Sequence, residues 1–314
     1  MLMQVPAGAA PFLCAAAILA QQPAPQEEAV FKSGVALVRV DAQVVQGRRV
    51  VDNLTKEDFQ IADESRPQAI EYFGREAEPL WVVLLLDVSG SMHKRLDEMA
   101  AVGRQALRTL GPQDRVSVMF FGRRTHVALD FTANPEDAAA VIGQGRNNKE
   151  VGAGTNINPS VIDAARLIRE KAANHPGRRA IVILTDNEGL NYQTSDEHTM
   201  AALYDADTVL NAIVTPSAKP PDPVKIGAYS NPDFTPSDVF KLARETGGEV
   251  LKAERTGDTF REMMMRIRLR YSLHYRAPEG PAGSLRRIRV ELSPAAQKRF
   301  GKAEVRARTG YRLP

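Results

Sequence analysis

Apolar positions change their period twice along this 314-residue chain. Residues 35–45 alternate over much of their length, as a half-buried strand does, and Gly47-Arg-Arg49 supplies a turn after them. Residues 52–55 read as a turn or short helix, and 59–73 as a hairpin. From residue 81 the alternation stops. Trp81-Val-Val-Leu-Leu-Leu86 is an unbroken apolar run, and 180–184 is another, the mark of strands buried on both faces. Further strands are expected over 115–120, 126–131, 208–214 and 249–252. Between them lie stretches of helical spacing: 94–110, 135–142, 159–173, 196–206, 236–245 and 258–269. After residue 270 short β-like segments return, over 270–277, 286–292 and 302–308. The Pro-rich segment 215–223 reads as surface decoration.

Strands alternating with helices predict an α/β fold with a doubly wound, mainly parallel sheet. Only Gly122-Arg-Arg124 and Thr125 precede 126–131, too little chain for a parallel crossover, so that segment is expected as an antiparallel edge strand. A strand that begins at Trp81 enters the sheet at the strands' amino-terminal end. A last helix over 258–269, antiparallel to the strands, returns the chain to that same end. The flanking β segments therefore emerge together. This predicts that the α/β domain, residues 78–269, is inserted in a small β-sandwich-like domain built from both chain ends, 31–77 and 270–314.

Composition narrows the setting. Apolar content of 43% and charged content of 25% are those of a soluble globular protein. A net charge of +3 with interspersed signs argues against nucleic-acid binding. Residues 1–20 contain the apolar run 9–20 and read as a signal peptide, although no Lys or Arg precedes the run. Residues 21–30 are a polar linker, and the run is too short to span a bilayer. The mature chain is thus expected to be secreted or periplasmic, with no membrane span. Cys14, the single cysteine, lies in the signal segment, which leaves no disulfide framework.

Candidate chemistry gathers at strand ends. Asp87-Val-Ser89-Gly-Ser91 leaves the run 81–86 with a carboxylate and two hydroxyls at i, i+2 and i+4. One turn through Gly90 can fold these oxygens around a hard cation. The Gly-rich loop Gly152-Ala-Gly-Thr155 adds a hydroxyl, and the second buried strand ends in Thr185-Asp186. Mg²⁺ seeks six oxygens and keeps several waters. Two carboxylates balance its charge, and neutral hydroxyls leave it electron-poor, ready for a partner's Asp or Glu.

This pattern resembles the metal-ion-dependent adhesion site of von Willebrand factor type A domains, whose five positions map onto Asp87, Ser89, Ser91, Thr155 and Asp186. The resemblance implies that the hydroxyls touch the metal and that Asp186 acts through water. Leu54-Thr-Lys-Glu-Asp-Phe59, Thr246-Gly-Gly248, Tyr271-Ser-Leu-His-Tyr275 and Ala307-Arg-Thr-Gly-Tyr311 extend it to the secreted bacterial VWFA-related subgroup common in acidobacteria. The implied protein is a non-enzymatic binding or adhesion module using Mg²⁺ (or Mn²⁺, with Ca²⁺ less suited). Two departures stand out: Asn187 replaces the usual Gly after the last metal Asp, and Ala153 replaces the first Gly of Gly-Gly-Thr.

The alternatives are a Mg²⁺-dependent hydrolase and a metal-independent envelope assembly subunit. Against the hydrolase, the chain lacks G-x-S-x-G, H-E-x-x-H, C-x-x-C and P-loop motifs. Ser89 also stands where a haloacid-dehalogenase phosphatase carries its second carboxylate. Met263-Met-Met265 reads as core, the arginines of 255–276 as a solvated helix face, and His93 as simply exposed, with contact at the metal rim the alternative. The junction of the last helix with the C-terminal strands would let a bound ligand act on the β segments; a static spacer is the favoured alternative.

Overall fold

A computed structural model describes residues 36–75, 78–222, 231 and 233–314; the expected signal peptide and linker, and Cys14, lie outside the described residues. The chain opens with β1 (Leu37–Gln46), β2 (Arg49–Val50), β3 (Phe59–Asp63), β4 (Arg66–Gln68) and β5 (Tyr72–Arg75). The α/β part runs through β6 (Leu80–Asp87), α1 (His93–Leu107), β7 (Arg115–Phe121), β8 (Thr125–Thr132), α2 (Pro135–Ile142) and α3 (Ile157–Ala172). It continues with β9 (Arg178–Thr185), β10 (Leu190–Tyr192), α4 (Asp196–Asp205), β11 (Val209–Val214) and β12 (Phe234–Pro236). Then come α5 (Val239–Thr246), β13 (Val250–Lys252) and α6 (Thr256–Arg268). The chain closes with β14 (Tyr271–Arg276), β15 (Leu285–Leu292), α7 (Pro294–Phe300), β16 (Glu304–Arg306) and β17 (Gly310–Arg312). Among the described residues no helix is long and apolar enough to cross a membrane.

The central sheet has six strands in the order β13-β11-β9-β6-β7-β8. All neighbours are parallel except β8, which is antiparallel at the edge as its short connection requires. Successive side chains of β6 point to opposite faces. Val82, Leu84 and Leu86 pack with α1 and α6, while Trp81, Val83 and Leu85 pack with α3 and α4. Helices on both faces explain why this strand is an unbroken apolar run rather than an alternating one.

Strands from both chain ends share two antiparallel sheets, β16-β1-β14-β5, with β2 added to β1, and β17-β15-β3-β4. Their facing sides enclose one core that includes Val40, Phe59, Ile61, Tyr271, Tyr275, Val290 and Tyr311. These sheets meet the α/β part at the amino-terminal ends of its strands. Arg39 of β1 and Arg308 both donate to Asp207, just before β11, at 2.6 and 2.7 Å. Arg178, the first residue of β9, donates to the carbonyls of Ile267, Arg268 and Arg270 at 3.1–3.3 Å. These are orphan acceptors at the end of α6. Arg270 continues to the Asp41 and Arg306 carbonyls, and Arg266 pairs with Glu249 at 2.7 Å.

Several local expectations are corrected. Arg266 and Arg270 are buried, so the arginines of 255–276 are not simply a solvated face; they satisfy carbonyls and acids at the junction of layers. The expected strand over 302–308 shrinks to β16, Glu304–Arg306; β17, Gly310–Arg312, follows in the other sheet, and the short helix α7, capped by Ser293, precedes both. Helix α5 begins only at Val239, after the Asp238 cap, because Phe234–Pro236 is a strand. In the Met triplet, Met263 and Met264 are core but Met265 is 45% exposed. Gly247, at φ +79°, ends α5 in the left-handed region, where a Cβ would lie 2.4 Å from the Ala307 carbonyl carbon.

Asp63 is the polar pivot between the two antiparallel sheets. It accepts from Tyr275 and Tyr311 hydroxyls at 2.7 and 2.6 Å and from Arg286 at 2.7 Å. Burial would raise its carboxyl, but these donors outweigh burial and hold it below the ordinary carboxylate range. A depressed acid stabilises the fold above its unfolded pKa and loses that contribution as pH falls through its folded value. Asp63→Asn is therefore expected to unfold at lower denaturant at pH 7 and to show a shallower loss of stability below about pH 4; circular dichroism melts from pH 2 to 7 check both.

Candidate metal centre

The ends of β6 and β9 are adjacent because the chain leaves β6 toward β7 and later returns to β6's other side. Leu86 is in register with Leu184, so Asp87 and Thr185-Asp186 emerge side by side at the carboxyl ends. Such a reversal of strand order is where open α/β sheets bind ligands.

Asp87 is completely buried. Its Oδ1 accepts from the Ser89 N–H at 2.9 Å and its Oδ2 from the Thr185 hydroxyl at 2.9 Å. The one-turn 3₁₀ segment Gly90–Met92 then lifts Ser91 toward β9. Ser91 donates to Asp186 Oδ2 at 2.7 Å, and the Ser89 and Ser91 hydroxyl oxygens are 3.2 Å apart. Asp186 Oδ1 accepts from the Glu188 N–H at 3.0 Å. Asp87, Ser89, Ser91 and Asp186 thus form one connected group of oxygens.

Thr155 is brought to the same edge through its backbone. The turn after β7 holds its loop: the Arg123 and Arg124 N–H groups donate to the Gly152 and Val151 carbonyls at 3.3 and 2.9 Å. Asn156 donates its N–H to the Gly122 carbonyl at 2.9 Å. The Thr155 carbonyl faces Gly189 so closely that a Cβ there would lie 2.4 Å away. Thr155 Oγ1 makes no hydrogen bond to the other four residues, so the loop is adjacent while this hydroxyl remains available.

The electrostatics are lopsided. Burial dominates at Asp87 and pushes its carboxyl up to about 6, because the hydrogen bonds from Ser89 and Thr185 do not offset it and Asp186 adds like charge. Among the described residues neither acid makes an ion pair. An uncompensated buried carboxylate beside a second acid is what a cation would neutralise. The donor set, all carboxylate and hydroxyl oxygen, suits a hard divalent ion. Among the described residues no three His, Cys, Asp or Glu side chains converge, so there is no nitrogen- and sulfur-rich site of the zinc kind.

Two residues beyond the predicted five shape the group. Thr185 fixes Asp87 through its hydroxyl, which also accepts from the Asn187 N–H at 3.2 Å. Asn187 sits at φ +61°, which explains the preference for Gly there; Asn tolerates this region better than most residues. Its side chain donates to the Lys219 carbonyl at 3.0 Å and accepts from the Val239 N–H at 3.1 Å. The segment expected as surface decoration is therefore tied to the centre: Ser217–Asp222 walls a cleft of about 420 Å³ that opens beside Asp186. His93, partly exposed two residues after Ser91, makes no hydrogen bond or ion pair with the group among the described residues.

Residues 82–189 match the family model of the von Willebrand factor type A domain. No curated protein matches the chain significantly. Among solved structures, the chain is similar to an aerotolerance-related membrane protein from Bacteroides fragilis, with 18% identity, covering 60% of this chain and 98% of that one at a TM-score of 0.45. It is also similar to a von Willebrand factor type A protein from Catenulispora acidiphila (14% identity, 90% and 74% coverage, TM-score 0.45). A third is the proximal thread matrix protein 1 of the mussel byssus, in a structure with a zinc-occupied MIDAS motif (14%, 66% and 50%, 0.47). The matched segment runs from β6 through the Thr155 loop to the end of β9 and its following turn, so it is residues 82–189 that are similar to a von Willebrand factor type A domain.

Proposed function

We propose that the protein is a non-enzymatic binding module that holds Mg²⁺ (or Mn²⁺) with Asp87, Ser89, Ser91, Thr155 and Asp186 and captures an Asp or Glu of a protein partner. The observation that carries this reading is the fully buried Asp87 carboxylate beside Asp186, with no basic side chain among the described residues paired to either. When bound, the metal would supply positive charge and an open position for an incoming carboxylate. Thr185 and the Ser89 N–H orient Asp87, and Asn187 holds the rim in place. Against the hydrolase alternative, among the described residues no His or Lys is hydrogen-bonded to Ser89 or Ser91, and the Asp186 carboxylate that accepts from Ser91 is one the proposed metal would engage. A metal-independent assembly role remains the second alternative, and metal titration separates it from the first.

In this reading residues 78–269 form the binding domain, carried by a β domain of 31–77 and 270–314 after a signal peptide over 1–20 and a linker over 21–30. We place the mature protein in the periplasm or outside the cell, within the secreted VWFA-related subgroup.

Saturating Mg²⁺ is expected to raise the melting temperature. An excess of 100 Kd contributes about 2.7 kcal/mol, or several degrees for a chain of this size. EDTA should reverse the rise, and its absence in differential scanning calorimetry would remove the metal from the proposal.

Asp87 has a folded pKa raised above its unfolded value, so the metal-free protein loses stability as pH rises from about 4 to 6. Asp87→Asn is expected to abolish the Mg²⁺ response yet stabilise the metal-free fold at pH 7 by on the order of 2–3 kcal/mol. Chemical denaturation in EDTA measures this.

Thr155→Ala is expected to leave the melt in EDTA unchanged and weaken Mg²⁺ binding about tenfold, the loss of one of several oxygen ligands. An unchanged affinity by isothermal titration calorimetry would take Thr155 out of the coordination shell.

A further inference from the structure

We infer that the partner presents an extended peptide segment in which the metal-bound Asp or Glu is flanked by an apolar side chain, and that this side chain enters the cleft beside Asp186. The inference rests on the binding reading above and adds the identity of the neighbouring residue.

The first support is continuity. The cleft begins at Asp186 itself and runs past Asn187 to Leu190, between Pro220, Pro221 and Pro236. A side chain next to a carboxylate held at the metal would have its shortest way off the centre into this space.

The second support is exposed apolar surface. Seven large hydrophobic residues are exposed among the described residues, and three of them lie together on the small β10–β12 sheet. Leu190 is 59% exposed, Tyr192 53% and Phe234 42%. The Tyr192 and Phe234 rings pack at 5.3 Å between centroids. Leu190 lines the cleft, and Tyr192 and Phe234 continue its exposed surface along the β10–β12 sheet; single exposed apolar residues need no explanation, but such a cluster marks a contact surface.

The third support is rigidity. Asn187 ties the rim to the Lys219 carbonyl and the Val239 N–H, and Ser237 donates its N–H to the Gly189 carbonyl at 3.0 Å. A pre-formed cleft spares the ordering cost that weakens binding by loose loops.

Charge orients the segment. On the Thr155 side, Arg123 and Arg124 are exposed on the β7–β8 turn and make no ion pair among the described residues. On the cleft side, Glu188 and Asp222 are exposed, and Lys219 is engaged with Asp222 at 3.1 Å. Acidic residues of the partner are therefore favoured toward the arginines and disfavoured toward the cleft, where the apolar surface of Leu190 and the prolines is what an uncharged side chain can cover.

The test uses synthetic peptides with one Asp flanked on both sides by the same residue X, within a Gly-Ser background, where X is Gly, Leu, Phe or Lys. Binding is read by ligand-observed NMR in Mg²⁺ and in EDTA. The expected result is Mg²⁺-dependent binding that tightens about tenfold or more from Gly to Leu or Phe, the gain of burying one such side chain. Leu190→Ser with Phe234→Ser should erase that gain and keep the Mg²⁺-dependent binding of the Gly peptide, with an unchanged thermal melt showing that the fold is intact. Equal affinity for the Gly, Leu and Phe peptides in Mg²⁺ would overturn the cleft assignment and leave the metal reading standing. Binding that EDTA does not weaken, or no binding by any peptide, would overturn both. Self-association abolished by the same double variant would assign the ledge to a second copy of this chain and overturn the peptide.

Discussion

Two carboxylates of like charge end adjacent strands, and no basic side chain among the described residues pairs with either. Everything around this pair follows from that conflict. Asp87 is fully buried, and its two hydrogen bonds leave its carboxyl raised to about 6. Ser91 bridges toward Asp186, and Thr185 steadies Asp87 from behind. A sheet that places such acids at its switch point carries a standing electrostatic cost. A hard cation held there, as proposed, would relieve it and tie the fold's stability to binding.

The opposite end of the central sheet is built in the contrary way. There the acids are matched by arginines: Asp207 by Arg39 and Arg308, Glu249 by Arg266 and Arg306. Arg178 and Arg270 spend their donors on carbonyls at the end of α6 and on the strands beyond it. Sliding α6 along its axis would strip these carbonyls of their donors, each left unsatisfied at about 1–3 kcal/mol if buried. The clamp favours a static support over a helix that transmits movement from the metal to the antiparallel sheets.

Between these ends, the rim of the centre divides by chemistry. Arginines that make no ion pair among the described residues stand on the turn that holds the Thr155 loop, whereas apolar and proline-walled surface continues from Asp186 to Leu190. Asn187 joins the two kinds of constraint, since its backbone takes the left-handed turn after β9 and its side chain fastens the cleft wall. A glycine at that position would make the turn without making the fastening.

Much of this was legible without coordinates. The unbroken run ending at Asp87 showed a strand buried on both faces, because only helices on each side leave no polar position to alternate. The three-residue link before Thr125 required an antiparallel edge, because so little chain cannot cross a sheet. The spacing of Asp87, Ser89 and Ser91 announced oxygens on one turn. The sequence could not announce what depends on residues far apart in the chain. Arg266 and Arg270 resembled a solvated face, since their acceptors lie in β1, β16 and the turn before β13. The segment after β11 looked like decoration until Asn187 was seen to hold it. Phe234–Pro236 is too short to show a strand period and pairs with β10 more than forty residues earlier. Local periodicity reports which face of an element meets the core; which distant groups satisfy a buried charge or carbonyl is decided only when the layers close on one another.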